Sequence, residues 1–207
     1  MYSEQFDTDD YYVEHDNIEF EPQPKRSLLK KALHLVREVL ETIVPAVLIA
    51  LLINLFMAQA TRVHGQSMEP NLHTDQRLVV EKLSYNRFLR QYFGFEGPRH
   101  GDVVVIRLPI QGNELLIKRV IGLPGDVIEI HDGQVFVNGQ PLDEPYLPTT
   151  TSGSYGPTTV SPLNIFVLGD NRNFSNDSRS FGTVPLKNVV GRAWFSYWPI
   201  DQIGFVR

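Results

Sequence analysis

Glu114-Leu115-Leu116-Ile117-Lys118-Arg119-Val120-Ile121 and Asp126-Val127-Ile128-Glu129-Ile130 are two apolar runs separated by Gly122-Leu123-Pro124-Gly125. Short runs rich in Val, Ile and Leu, bounded by Gly and Pro, read as β-strands. On a strand, residues two apart share a face. Leu116, Lys118 and Val120 therefore point one way, and Arg119 points the other. A lysine set between apolar neighbours in mid-strand is the unusual feature of this stretch.

Reading outward from it, the same pattern recurs at Gln76–Lys82, Asp102–Arg107, Gln134–Val137, Asn164–Leu168 and Val189–Tyr197. His131-Asp132-Gly133 and Asn138-Gly139 are turn signals. Residues 84–100 and 140–163 are long connections, and the second, rich in Pro, Thr, Ser and Gly, reads as an exposed loop. The fold expected is mainly β: one N-terminal transmembrane helix followed by a β-sandwich or partly open barrel over residues 61–207.

The helix comes from the run Ile43 to Ala58, which with Val39-Leu40 and Ala60 reaches the ~20 residues a span requires. Pro45 lies in its first turns, and Asn54 is its one strongly polar interruption. The span is placed at 39–60, behind a basic juxtamembrane segment at 25–38 and an acidic disordered tail at 1–24. The tail holds eight acids and no Lys or Arg; removing them from the net charge of −5 leaves +3 for residues 25–207. Five cations precede the span (Lys25, Arg26, Lys30, Lys31, Arg37) and Arg62 alone follows closely, which puts the N-terminus in the cytoplasm. No basic stripe or zinc-finger pattern marks a nucleic-acid binder. The chain has no cysteine, so disulfides and a cysteine nucleophile are excluded. Ala58-Gln59-Ala60 is an A-x-A sequence. The long apolar run favours a retained anchor over a removed signal peptide, and slow self-cleavage after Ala60 is the hypothesis it leaves.

Gly65-Gln66-Ser67-Met68-Glu69-Pro70 follows the span, and seven extended residues from Ala60 to Ser67 reach no more than ~25 Å. A serine becomes a nucleophile only beside a base. His64 is near in sequence, although a serine–histidine pair obeys no spacing rule, and carboxylates seldom activate serine. Lys118 is the best-placed lysine. Half-neutrality near pH 8 needs a fall of ~2.4 from its reference pKa, ~3.3 kcal/mol, which burial can supply; a lysine that reaches along the strand to water is the bland alternative. The polar stretch Gly169–Gly182 (GDNRNFSNDSRSFG) starts at the end of an apolar strand, where its groups can reach a cleft. Asp177 and Arg179 can pair, and Ser175 can orient an amine.

These residues resemble type I signal peptidases, membrane-bound Ser/Lys endopeptidases. The resemblance rests on Ser67-Met68-Glu69-Pro70, on Gly101-Asp102-Val103-Val104-Val105, on Lys118 through Asp126, and on Gly169-Asp170-Asn171-Arg172 through Ser175, Asp177, Ser178 and Arg179. It implies a catalytic domain of signal-peptidase type, with a variable subregion within 122–163. It implies Ser67 as nucleophile, Lys118 as general base, Ser175 holding the amine, and Asp177 with Arg179 as support. The oxyanion would be met around Gly65 and the Ser67 N–H, Gly65 standing where many members carry a hydroxyl. No metal or cofactor is implied. The substrates implied are exported preproteins cut after small-x-small sites, with the bilayer and the export machinery as partners and the catalytic domain on the periplasmic or lumenal side. Two rivals stand beside this reading: a self-cleaving Ser/Lys repressor, which would carry a DNA-binding domain, and a membrane-tethered β domain that binds export partners without catalysis.

Overall fold

The computed structural model describes residues 26–52, 58–86, 91–92, 94, 97–109, 114–148 and 150–206. The acidic segment 1–24 and residues 53–57 lie outside these. The chain divides into two units, residues 1–47 and 48–207.

Helix α1 runs Arg26–Leu52 with Pro45 inside it. Arg37 and Glu41, four residues apart, pair at 2.6 Å on its surface. Its apolar side chains, among them Leu28, Leu35, Val47 and Leu51, are exposed. The expected span at 39–60 is corrected in two respects. The helix begins at Arg26, in the segment expected to be a separate basic stretch, and Ala58-Gln59-Ala60 belong to a strand. Among the described residues, no helix is long and apolar enough to cross a membrane. Arg26, Lys30, Lys31, Arg37, Glu38 and Glu41 are spread through α1 up to residue 41, leaving residues 42–52 as the uncharged part of the described helix. At 1.5 Å per residue these cover ~16 Å of a ~30 Å hydrocarbon core.

The second unit is built of β1 (Ala58–Arg62), β2 (Arg77–Glu81), β3 (Val103–Arg107), β4 (Leu115–Gly122), β5 (Val127–His131), β6 (Gln134–Val137), β7 (Gln140–Pro141), β8 (Tyr155–Thr159), β9 (Asn164–Leu168), β10 (Val184–Pro185), β11 (Val189–Trp198) and β12 (Gly204–Phe205). All pairings are antiparallel. The larger sheet has the order β1-β2-β11-β3-β4-β9-β10, with β12 against β11, and the smaller has the order β7-β6-β5-β8. The larger sheet does not close among the described residues.

The period-2 pattern of β4 is expressed as read. Ile117 packs with Val63, Met68, Val103 and Val105 on one side. Leu116 and Val120 pack with Val104, Ile106 and Val167 on the other. A third cluster joins Ile121, Phe166 and Leu168 of the larger sheet to Ile128, Ile130 and Val135 of the smaller. The hairpin turns come where the sequence signals them, with positive φ at Asp132, Gly133, Asn138 and Gly139. The connection 140–163, expected to be an exposed loop, instead contains β7 and β8 and buries Thr151 and Val160. β8 is an edge strand, where Pro and Gly are tolerated, so its composition hides it.

Candidate active site

β1 and β2 are joined by a turn that carries Ser67. Val63 N donates to Gln76 O at 2.8 Å and Asp75 N to Val63 O at 3.0 Å, closing its base. Met68 and Leu72 anchor it from below, both buried in the first apolar cluster. From the side, Asn171 N donates to Ser67 O at 3.0 Å and Asn171 Nδ2 to Gln66 O at 3.1 Å. Gly65 takes φ +82°, and nothing lies within 4 Å of where its Cβ would be. The backbone there is open to an approaching chain.

Lys118, at the centre of the buried β4, is 2% exposed. Its Nζ donates to Ser67 Oγ at 2.6 Å. Burial lowers its pKa to about 8; the carboxylates of Asp177 and Asp170 pull the other way and Arg179 adds a small further lowering. His64, the other sequence candidate for a base, is exposed and makes no hydrogen bond with Ser67.

Asp177 and Arg179 form the expected pair, Arg179 Nε to Asp177 Oδ1 and Nη2 to Oδ2 at 2.9 Å each. Asp177 also caps the one-turn helix Ser178–Phe181 and accepts from Gly169 N at 3.1 Å. Burial raises its pKa, but Arg179, the Gly169 N–H and the neighbouring Ser175 hydroxyl outweigh this and hold it below the ordinary carboxylate value. Ser175 Oγ is buried, lies beside that carboxylate, and makes no hydrogen bond of regular geometry. The expected bond from Ser175 to the lysine amine is therefore not formed. Ser175 and Ser67 nonetheless flank one residue: a Cβ on Gly169 would collide with the Ser175 side chain and the Ser67 carbonyl oxygen.

A second layer escaped the sequence reading. Arg119, 1% exposed, makes a two-point pair with Asp170, Nε to Oδ1 at 2.8 Å and Nη2 to Oδ2 at 2.7 Å. Asn71 Nδ2 donates to Asp170 Oδ2 at 2.8 Å and to Tyr146 O at 2.9 Å. Arg172, also buried, pairs with Glu144. Arg119 and Asp170 both stand within quoted motifs, and a buried Arg demands a carboxylate, so that pairing had a signal. Glu144 and Tyr146 stand in a segment read as loop and had none. Among the described residues, no group of three or more His, Asp or Glu side chains is arranged to hold a metal ion.

Residues 36–198 match the family model described as signal peptidase, peptidase S26. The chain is 41% identical over 175 residues to signal peptidase I of Leptolyngbya laminosa, covering 81% of this chain and 82% of that one. It is 35% identical over 177 residues to signal peptidase I of Bacillus licheniformis, covering 80% and 90%. A crystal structure of a signal peptidase I from Enterococcus faecalis aligns with 47% of this chain and 97% of its own at 31% identity, with a TM-score of 0.43. With a family model spanning most of its length and relatives this similar over four-fifths of it, the chain belongs to the peptidase S26 family of signal peptidases.

Proposed function

We propose that this chain is a membrane-anchored serine endopeptidase that removes N-terminal signal peptides from exported preproteins by a Ser67/Lys118 dyad. The observation that carries the dyad is the 2.6 Å separation of Lys118 Nζ and Ser67 Oγ at a lysine 2% exposed. Neutral Lys118 takes the Ser67 proton as Oγ attacks the carbonyl carbon ending the signal peptide. The tetrahedral oxyanion is met by the Ser67 N–H and the open backbone at Gly65. Collapse breaks the C–N bond, and protonated Lys118 returns its proton to the leaving amine. Water, deprotonated by Lys118, then hydrolyses the acyl-enzyme. Asp177 and Arg179 hold the strand end beside Lys118, and Ser175, buried beside the Asp177 carboxylate, packs against that same strand end at Gly169. The substrate lies extended beside β1, an edge strand that leads into the Ser67 turn.

Anchoring is supported by the exposed apolar side chains of α1 and by the sequence, in which Ile53-Asn54-Leu55-Phe56-Met57 prolongs the uncharged run that begins at Thr42. The excess of cations before that run supports a cytoplasmic N-terminus and an extracytoplasmic peptidase unit.

The test is cleavage of a preprotein bearing an A-x-A site by detergent-solubilised protein beside its Ser67→Ala twin, with the new N-terminus mapped by mass spectrometry. A cut after the second alanine that vanishes in the twin is the expected result. No cut by a folded protein would favour a non-catalytic module instead.

A further inference from the structure

The connection between β7 and β8 starts and ends on the smaller sheet, where Leu142 N donates to Val135 O at 2.8 Å and Thr151 N to Gly133 O at 3.1 Å. Between these ties it reaches the residues around the dyad. Glu144 forms a two-point pair with Arg172, whose side chain is wholly buried, while Arg172 Nη1 also donates to Thr151 Oγ1 at 2.7 Å and Nε to Gly169 O at 3.1 Å. Tyr146 is thus held in place, and its hydroxyl donates to Glu144 Oε1 at 2.8 Å.

Tyr146 then makes two contacts of different kinds. Its ring lies over the Arg119 guanidinium, 3.9 Å from centroid to Cζ. Its carbonyl accepts from Asn71 Nδ2, on the turn that carries Ser67. Arg119 follows Lys118 in the chain, and Asn71 lies four residues after Ser67. One side chain and its own backbone therefore brace both halves of the pair that react.

We propose that Tyr146 is a positioning residue for the Ser67–Lys118 dyad, its ring capping the Arg119–Asp170 ion pair beside Lys118 and its carbonyl bracing the nucleophile turn through Asn71, with the Glu144–Arg172 pair fixing it there. This rests on the Ser/Lys reading of the site. The ring excludes water from Arg119 and Asp170, and a guanidinium pressed on an aromatic face is held flat against its carboxylate. The charged groups that act on Lys118 are Asp177, Asp170 and Arg179. Without the ring, water enters and the Asp170 charge is less completely matched by Arg119. Both changes favour protonated Lys118 and move its titration to higher pH.

The experiment measures kcat and KM against pH for the full-length chain in detergent, on a preprotein, for wild type, Tyr146→Leu, Tyr146→Phe and Glu144→Gln. Ser67→Ala and Lys118→Met serve as controls. For Tyr146→Leu the acid limb moves up by about one pH unit, with about a tenfold fall in kcat at pH 7 and KM within about twofold. Tyr146→Phe keeps the ring over Arg119 but loses the hydroxyl bond to Glu144, and its limb moves less than that of Tyr146→Leu. Glu144→Gln shifts the limb in the same direction as Leu. The midpoint is read from the shape of the profile, so a smaller folded fraction does not move it; if Tyr146→Leu does not fold, Glu144→Gln decides. An acid limb unmoved in every folded variant overturns the proposal while leaving the dyad intact. Activity in Ser67→Ala or Lys118→Met removes the dyad itself, and the proposal with it.

Discussion

Lys118 and Arg119 are neighbours on β4, both nearly fully buried, on opposite faces of one sheet. Arg119 meets the carboxylate of Asp170 in a two-point pair and stays charged. Lys118 meets the neutral hydroxyl of Ser67 and its pKa falls to about 8. Strand alternation thus separates a fixed charge from a removable one.

This makes Lys118→Met a test with two readouts. Activity should be lost, because volume is kept and the base is gone. Stability should rise at neutral pH. A lysine whose pKa falls from 10.5 unfolded to about 8 folded destabilises the fold by ~3 kcal/mol below pH 8. That cost fades as pH rises and vanishes above the unfolded value. Urea unfolding at pH 7 and pH 10.5 should show the variant's advantage shrinking between the two, and a variant less stable than wild type at pH 7 would contradict the burial argument.

Two glycines should respond differently to alanine. At Gly169 the new methyl strikes Ser175 and the Ser67 carbonyl, so Gly169→Ala should cost about 2 kcal/mol and most of the activity. At Gly65 space is open and only the φ of +82° resists; Gly65→Ala should cost ~1 kcal/mol and lower turnover less than Gly169→Ala does. Thermal unfolding and initial rates on both variants check the contrast.

Ser175→Ala should lower kcat by no more than about tenfold without abolishing it, since the hydroxyl lies buried against Asp177 and Gly169, which support the dyad, and makes no bond to the amine. Single-turnover rates measure this, and a fully active variant would end the assignment.

Ala58-Gln59-Ala60 lies in β1, paired with Glu81, Val80 and Val79 of β2. Cleavage after Ala60 needs that strand to leave the sheet. The Ala60–Thr61 bond should therefore survive prolonged incubation of native protein and become susceptible only under partly denaturing conditions, as intact-mass measurement would show.

The central strands were legible for two reasons: β2 alternates because one face is buried, and β3, β4 and β9 are near-continuous apolar runs because both faces are buried. Lys118 was singled out by its place among Leu, Ile and Val in mid-strand, where a cation is costly to bury, but its contact with Ser67, 51 residues away in the chain, has no local pattern behind it. β1 was not legible: Ala58-Gln59-Ala60 adjoin an apolar run and fall inside the expected span at 39–60, which leaves only Thr61 and Arg62 of this strand to the β domain. β8 was hidden by Pro157 and Gly156 on an edge. The bracing by Glu144 and Tyr146 is long-range in sequence, 28 residues separating Glu144 from Arg172, and no local pattern encodes such a meeting.

The central claim is that neutral Lys118 activates Ser67. The most direct measurement is the rate at which a serine-directed acylating agent labels Ser67, followed by mass spectrometry across pH 6 to 10. A single rise with its midpoint at about 8, absent in Lys118→Met, is the result this account predicts. A rate independent of pH, or one unchanged in Lys118→Met, would contradict it.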